Sequence, residues 1–303
     1  MSDPRRSKYR GRFAPSPTGS LHFGSLIAAV GSYLQARRQQ GEWLVRIEDV
    51  DTVRCRSEHA GDILRTLEAF GFEWDGDIIY QSHRNDFYES ALQTLKQQRL
   101  IYACDCSRKQ INEATLAGPL GPVYPGTCRA RTQPPRHEHA VRLITDSRDI
   151  IFADALQGRY QQNLARESGD FVVRRRDGLF AYQLAVILDD AEQGITEVVR
   201  GADLLDSTPR QIYLQQVLGY STPDYIHLPL ALDRCGAKLS KSQDAPSIDP
   251  KTPLPALYQA LSFLGQEPPA ELLEGGLEEF WRWSVSHWRL DKIPRMKGQI
   301  LRQ

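Results

Sequence analysis

The sequence predicts an α/β fold: a parallel sheet flanked by helices, interrupted by an insertion of mixed character and followed by a mainly helical C-terminal region. Three observations carry this. A strand, a turn rich in Pro and Gly, a helix and a second strand follow one another between residues 10 and 47, and such a right-handed βαβ unit implies a parallel sheet. From Cys104 to about Arg176 the helix-strand alternation gives way to clustered Pro and Gly with short strand-like runs. After Ile248 helical patterns dominate.

The elements follow in order. Arg10 to Phe13 is a short strand, broken by Ala14-Pro15-Ser16-Pro17-Thr18-Gly19-Ser20. Leu26, Val30 and Leu34 recur at a helical spacing with Tyr33 on the same face, Arg37 and Arg38 fill the last turn, and Gly41 is the expected stop. Trp43-Leu44-Val45-Arg46-Ile47 is a buried strand. A helix through Ile63, Leu64, Leu67 and Phe70 stops at Gly71, another spans 87–100, and a strand follows at Ile101-Tyr102-Ala103. Within the insertion, strands are expected at 140–144 and 150–153. Helix and strand resume at 179–193 and 196–200. Thr208 is the expected N-cap of a helix with Pro209 at its first position and Gly219 past its end. Residues 225–232 read as a last core strand, and a Trp-rich helical segment lies at 281–288.

Composition sets bounds on function. The 303 residues are 41% apolar and 25% charged, a globular profile of a length that suits two structural units. Lys plus Arg equals Asp plus Glu at 38 each, so a nucleic-acid partner has to be met by local patches such as Arg129/Arg131 or Arg174-Arg175-Arg176. No apolar run approaches the ~20 residues that span a membrane, and no signal-peptide pattern follows the charged start, so a cytoplasmic protein is expected. Five cysteines include the pair Cys104 and Cys106, with Cys128 further on. In such a chain they read as metal ligands rather than as a disulfide framework. Three thiolates suit a tetrahedral zinc, for which Tyr124, His137 and His139 are candidate fourth ligands; zinc prefers imidazole over phenol. Cys55 and Cys235 have no partner by spacing.

Two motifs carry chemistry. His22-Phe23-Gly24-Ser25 sits where a strand turns into a helix. The free N–H groups there suit phosphate, Gly24 lets a nucleotide approach the backbone, and His22 can donate to a phosphate oxygen as charge builds on it. An H-x-G alone also fits a plain helix-capping turn. Lys238-Leu239-Ser240-Lys241-Ser242, after the last core strand, offers two cations and two hydroxyls to a polyphosphate.

Together the two motifs resemble the "HIGH" and "KMSKS" signatures of class I aminoacyl-tRNA synthetases, with Ser25 and Leu239 as departures. Arg12-Phe13-Ala14-Pro15-Ser16-Pro17-Thr18-Gly19, Leu44-Val45-Arg46-Ile47-Glu48-Asp49, Asp189-Asp190 and Val199-Arg200-Gly201-Ala202-Asp203 are similar to the glutamyl branch of that family, over roughly residues 9–250. The chain stops at Gln303, without the helical anticodon-reading domain of glutamyl-tRNA synthetases, and so resembles the shortened glutamyl-queuosine tRNA(Asp) synthetases.

The resemblance implies a Rossmann-like catalytic unit over 1–103 and 177–235, an inserted zinc-containing subdomain over 104–176, and a lysine loop with a helical region over 236–303. It implies activation of L-glutamate by ATP with Mg²⁺, and transfer to queuosine in the anticodon of tRNA(Asp), by a monomer. ATP would be held by His22, Gly24, Ser25, Lys238, Ser240 and Lys241, of which His22, Gly24, Lys238 and Lys241 serve catalysis. Glutamate would meet Arg12, Ala14, Ser16, Glu48, Tyr182 and Arg200, with Arg12 on its side-chain carboxylate and Glu48 on its ammonium; a structural Glu48–Arg200 salt bridge is the competing expectation. For the structural zinc, the resemblance selects Tyr124 as the partner of Cys104, Cys106 and Cys128. The alternatives are a truncated glutamyl-tRNA synthetase charging a 3′ end and a non-catalytic paralogue that binds tRNA or an amino acid.

Overall fold

The computed structural model describes residues 8–115, 117–118, 121–133, 135, 137–239 and 248–301. Ser240 and Lys241 of the second motif lie outside the described residues.

Strand β1 (Arg10–Phe13) runs parallel to β2 (Glu42–Ile47), with Arg12 opposite Leu44. Helix α1 (Phe23–Arg38) makes the crossover and is buried on most sides, which is why its apolar residues exceed a single stripe. Arg37 and Arg38 fill its last turn as expected, but Gly41 is not the left-handed residue that follows. The left-handed residue is Gln40, at φ 53°. Gly41 matters for a different reason: a Cβ there would lie 2.5 Å from the Tyr9 carbonyl oxygen. Helix α2 (Ser57–Ala69) does stop at Gly71, which adopts φ 74°. Strand β3 (Ile79–Tyr80) adds to β2, and helix α3 spans Asn85–Gln97 rather than 87–100, ending in a left-handed turn at Arg99.

Strand β4 (Ile101–Cys104) leads into α4 (Arg108–Ala114), whose Ser107 and Gln110 form a capping box. A two-residue ladder, β5 (Ala117–Gly118) with β6 (Gly121–Pro122), follows. Strand β7 (Ala140–Leu143) pairs antiparallel with β4. The hairpin β8 (Asp149–Asp154) and β9 (Gly158–Asn163) precedes α5 (Leu164–Glu167) and β10 (Phe171–Arg174), which pairs with β7. Helix α6 (Tyr182–Glu192) and strand β11 (Glu197–Gly201) return the chain to the parallel layer. A 3₁₀ helix over Ala202–Ser207 runs directly into α7 (Thr208–Leu218). Thr208 is therefore already helical and not the cap, and its hydroxyl donates to the Leu204 carbonyl at 3.0 Å while accepting from Arg200.

Strand β12 (Asp224–Leu228) lies parallel to β11 and also meets β8. Pro229 cannot donate to a ladder, so the single strand expected over 225–232 is two, and β13 (Leu230–Leu232) leaves the sheet. After helices α8 (Pro253–Phe263) and α9 (Leu277–His287), β13 finds a parallel partner in β14 (Gly298–Ile300), a strand not foreseen in a region read as helical.

One core lies under α1, α8 and α9, where Tyr33, Trp43, Phe72 and Trp281 pack edge-on and stacked. Trp281 donates to the Phe70 carbonyl and Trp288 to Gln35, fastening the C-terminal helices to the sheet layer. A second core joins α3, α6 and α7 to β7, β10, β11 and β12. The Thr196 N–H donates to the Arg10 carbonyl at 2.9 Å, and the Thr196 hydroxyl accepts from the Arg10 N–H at 2.9 Å. This stitch sets β11 beside β1 on the side away from β2. Strand order reverses at β1, and the carboxyl ends of β1, β2 and β11 face one crevice, the place where open α/β sheets bind ligands. Among the described residues no helix is long and apolar enough to cross a membrane.

Candidate active site

The crevice is a cleft of about 660 Å³. Arg12, Ala14 and Ser16 reach it from the end of β1, Glu48 from the end of β2, Tyr182 from the start of α6 and Arg200 from β11. His22, Ser25 and Lys238 line the same cleft, and Gly24 lines a smaller adjoining hollow with His22, Lys238 and Leu239. Residues far apart in the chain are thus brought together around one space. The cleft also admits Cys55, which sequence spacing left without a role.

His22 caps α1. Its Nδ1 accepts the Ser25 N–H at 3.2 Å, so the ring proton sits on Nε2. A Cβ on Gly24 would lie 3.0 Å from the His22 ring and 3.4 Å from the Leu239 carbonyl oxygen, so both signatures crowd this glycine. The turn after β13 sets Lys238. Asp233 Oδ1 accepts the Cys235 and Ala237 N–H groups, Leu239 N–H bonds the Ala231 carbonyl, and Lys238 Nζ rests 2.6 Å from Asp203 Oδ2.

Beneath the cleft floor lies a buried ionic lattice. Asp190 accepts Arg12 through Nε at 3.1 Å and Arg46 at 2.7 Å. Arg46, fully buried, also reaches Glu48 at 3.3 Å and Gln193 at 2.5 Å. Neighbouring Asp189 accepts Gln81, Arg84 and Tyr88. Burial would raise the Asp190 carboxyl, but Arg12 and Arg46 hold it below the ordinary carboxylate value. Burial pushes Glu48 up, against the pull of Arg46 and Arg12. Removing one member of such a lattice costs on the order of 3–5 kcal/mol, because a buried charge is left unpaired. Sequence reasoning gave Arg46 and Asp190 no individual task. The signal was present: a charge inside the apolar strand Trp43–Ile47, and two inside an apolar helix, must find partners.

The Glu48–Arg200 salt bridge does not form. Glu48 pairs with Arg46, whereas Arg200 is bonded to His227 Nε2 at 3.1 Å, Tyr182 Oη at 3.4 Å, Thr208 Oγ1 at 2.9 Å and Gln211 Oε1 at 2.7 Å. All four partners are neutral acceptors, and among the described residues no carboxylate is bonded to Arg200. Arg12 lines the cleft with its charge already met by Asp190; Arg200 lines it with a charge to spare.

The cysteine cluster stands apart from the cleft. The Sγ atoms of Cys104, Cys106 and Cys128 lie within 4.8 Å of one another, close to the roughly 3.8 Å separation of sulfurs on one tetrahedral zinc. Tyr124 Oη is 3.3 Å from Cys104 Sγ and 3.7 Å from Cys106 Sγ, and it accepts the Cys128 N–H at 3.1 Å. His137 is exposed, its Nε2 set 3.6 Å from Asp105, and His139 turns its Nδ1 to the His137 carbonyl. Arg142 donates to Cys104 Sγ at 3.2 Å and stands over the Tyr124 ring. Burial would raise the Cys104 thiol, but bonds from Tyr124 and Arg142 bring it below the ordinary value. Burial, together with Cys128 and Cys104, pushes Cys106 up to about 11. Three sulfurs this close cannot all ionise without a cation among them, so the donor set fits a metal ion.

The arginines proposed as local nucleic-acid patches are largely engaged. Arg129 pairs with Asp170, Arg131 with Asp105, Arg174 with Glu89 and Arg175 with Asp51 and Asp177, while Arg176 donates to the Asp105 carbonyl.

Comparison with known proteins agrees with this architecture. Residues 8–252 match the family model of class I tRNA synthetases (E and Q), catalytic domain. A protein of Dechloromonas aromatica (strain RCB) named glutamyl-Q tRNA(Asp) synthetase is 56% identical over 97% of this chain and 99% of its own length. One of the same name from Chromobacterium violaceum is 52% identical over 94% of this chain and 95% of its own. In fold, the chain is similar to a crystal structure of a glutamate tRNA ligase from Elizabethkingia meningosepticum, with a TM-score of 0.80 and 24% identity over 98% of this chain and 67% of that one. With His22, Ser25 and Lys238 gathered at the switch point of its parallel sheet, and matched along its length by these relatives, the chain belongs to the class I tRNA synthetases of the E and Q group, in the family of the glutamyl-Q tRNA(Asp) synthetases, and is a ligase of the aminoacyl-tRNA synthetase type.

Proposed function

We propose that the chain activates L-glutamate with ATP as glutamyl-adenylate and transfers the glutamate to the queuosine base in the anticodon of tRNA(Asp). The observation that carries the first half is Arg200, a buried guanidinium with only neutral partners opening on the cleft that His22, Ser25 and Lys238 also line. A carboxylate is the ligand such a cation lacks, and a charge-assisted bond from the remaining Nη1 N–H, with Tyr182 Oη beside it, suits it. Arg200 rather than Arg12 is therefore the better partner for the side-chain carboxylate, since Asp190 already occupies Arg12. Glu48, deprotonated, would take the ammonium, with Tyr182, Ala14 and Ser16 closing the pocket around the substrate.

The chemistry asks for no protein nucleophile. An oxygen of the α-carboxylate attacks the α-phosphorus of ATP, the bond to pyrophosphate breaks, and negative charge moves onto the leaving group. His22 would donate from Nε2, and Lys238 would swing from Asp203 to the phosphates, joined by Ser25, Ser240 and Lys241. The α1 N-terminus adds backbone N–H groups, so catalysis is positioning plus charge stabilisation. Mg²⁺ would enter on the phosphates. The second half, acyl transfer to queuosine, is supported by the names of the relatives. Zinc would be held by Cys104, Cys106, Tyr124 and Cys128, a closed set of four that leaves no coordination position for substrate.

Glutamate-dependent exchange of labelled pyrophosphate into ATP tests the activation step. Exchange in the absence of tRNA is expected, because the cleft is assembled without a partner. Exchange appearing only after tRNA is added would refute a self-sufficient site.

A further inference from the structure

We infer that His227 and Asp154 are positioning residues that aim Arg200 at the substrate carboxylate and so set the preference for glutamate over glutamine. This rests on glutamate being the activated amino acid. Arg200 can only donate hydrogen bonds. Its Nε stands 3.1 Å from His227 Nε2, so Nε2 must accept, and the ring proton must be on Nδ1. Nδ1 in turn is 2.6 Å from Asp154 Oδ2, an acceptor when ionised. The order Asp154 carboxylate, Nδ1–H, Nε2, H–Nε of Arg200 is the one consistent arrangement of protons.

The relay is anchored at its far end. Asp154 also accepts the backbone N–H groups of His227, Leu156 and Gln157, which fixes β8 against β12. Both side chains are wholly buried. At the near end, Thr208 and Gln211 hold the other edge of Arg200, and Gln211 is itself oriented by donating to Gln183 at 2.9 Å. Four contacts thus take four of the five N–H groups of the guanidinium and leave one, on Nη1. None comes from an anion, so its charge is undiminished toward the cleft. A neutral His227 is what this requires: a protonated ring would lose the bond to Nε and set a second cation beside the first.

The test is steady-state pyrophosphate exchange with glutamate and with glutamine, on wild type and on three variants. In His227→Gln the amide oxygen reaches the place of Nε2 and the amide N–H can face Asp154; in His227→Asn the chain is one carbon too short to reach Arg200. The glutamate KM of His227→Gln should stay within about threefold of wild type. That of His227→Asn and Asp154→Asn should rise tenfold or more while the ATP KM holds, and their glutamate-to-glutamine ratio of kcat/KM should fall by a similar factor. Equal behaviour of the Gln and Asn variants, or parallel loss of ATP and glutamate KM, would overturn the positioning role and leave only a packing role. Absence of glutamate-dependent exchange in wild type would overturn the glutamate assignment itself, and the role of the pair with it.

Discussion

Charge bookkeeping among single side chains decides which residue does what in the cleft. Arg12 and Arg46 share Asp190, Glu48 leans on Arg46, and Arg200 is left with neutral partners. Glu48 gives a pH test. Burial raises its carboxyl above the ordinary value of about 4.3, and only the deprotonated form can pair with an ammonium. Glutamate affinity is thus present above the raised pKa and lost as pH falls through it, so the glutamate KM should climb on the acid side while pH is still above the ordinary carboxylate range. In Glu48→Gln that acid-side climb should vanish from a KM already raised; a wild-type KM flat down to pH 4.5 would remove Glu48 from the ammonium site. Lys238 offers a second test. It rests on Asp203 and would reach phosphate as charge moves onto pyrophosphate. A contact used mainly in the transition state contributes on the order of 3 kcal/mol, about a hundredfold in rate. Lys238→Ala should therefore lower kcat by that factor and leave the glutamate KM within about threefold; a shift confined to KM would mean that the lysine only holds the turn.

At the scale of elements, the site depends on where strands end and what is stitched to them. β1, β2 and β11 deliver their residues to one crevice because Thr196 binds the start of β11 to β1. The segment between β4 and β7 has few buried apolar side chains beyond the cluster of Cys104, Tyr124 and Cys128, and α4 buries none. A metal ion would supply the folding energy that such a segment lacks. Purified protein should carry one zinc per chain by metal analysis. Cys106→Ser should lose it and speed amide exchange between residues 104 and 131, while tRNA-independent pyrophosphate exchange persists, because the cluster does not line the cleft. Tyr124→Phe should weaken zinc retention against a chelator, whereas His137→Ala and His139→Ala should not. Loss of zinc in either histidine variant would move the fourth ligand, and loss of pyrophosphate exchange along with the metal would make the ion catalytic.

For the molecule as a whole, local patterns were legible in the sequence and long-range ones were not. The βαβ unit, the α2 stop at Gly71 and both signatures involve neighbours in the chain, and spacing reveals them. The cysteine cluster was legible because a C-x-C pair is already close, although Tyr124 had to come from family resemblance. The lattice joining Arg46 to Asp190 and the relay joining Asp154 to His227 span 144 and 73 residues. Their only local trace is a polar residue within an apolar run. Thr208 looked like a cap because a hydroxyl before Pro usually is one; a preceding 3₁₀ turn makes it helical and turns it to Arg200. β14 escaped notice because three residues carry no periodicity, and its partner exists only because Pro229 diverts β13. Gln157 then bonds both the His227 and the Met296 carbonyls, linking the β8–β9 turn, the site and the C-terminal region. The central proposal is that an adenylate made in the cleft is spent on a modified base rather than on a tRNA 3′ end, and for the acceptor its support is the names of the relatives. Transfer of [¹⁴C]glutamate to tRNA(Asp) with and without queuosine, and with the 3′-terminal adenosine intact or removed, tests it most directly. Label should appear only on queuosine-containing tRNA(Asp) and should form equally well when the 3′-terminal adenosine has been removed beforehand. Label on queuosine-free tRNA, or label abolished by removal of that adenosine, would contradict the account.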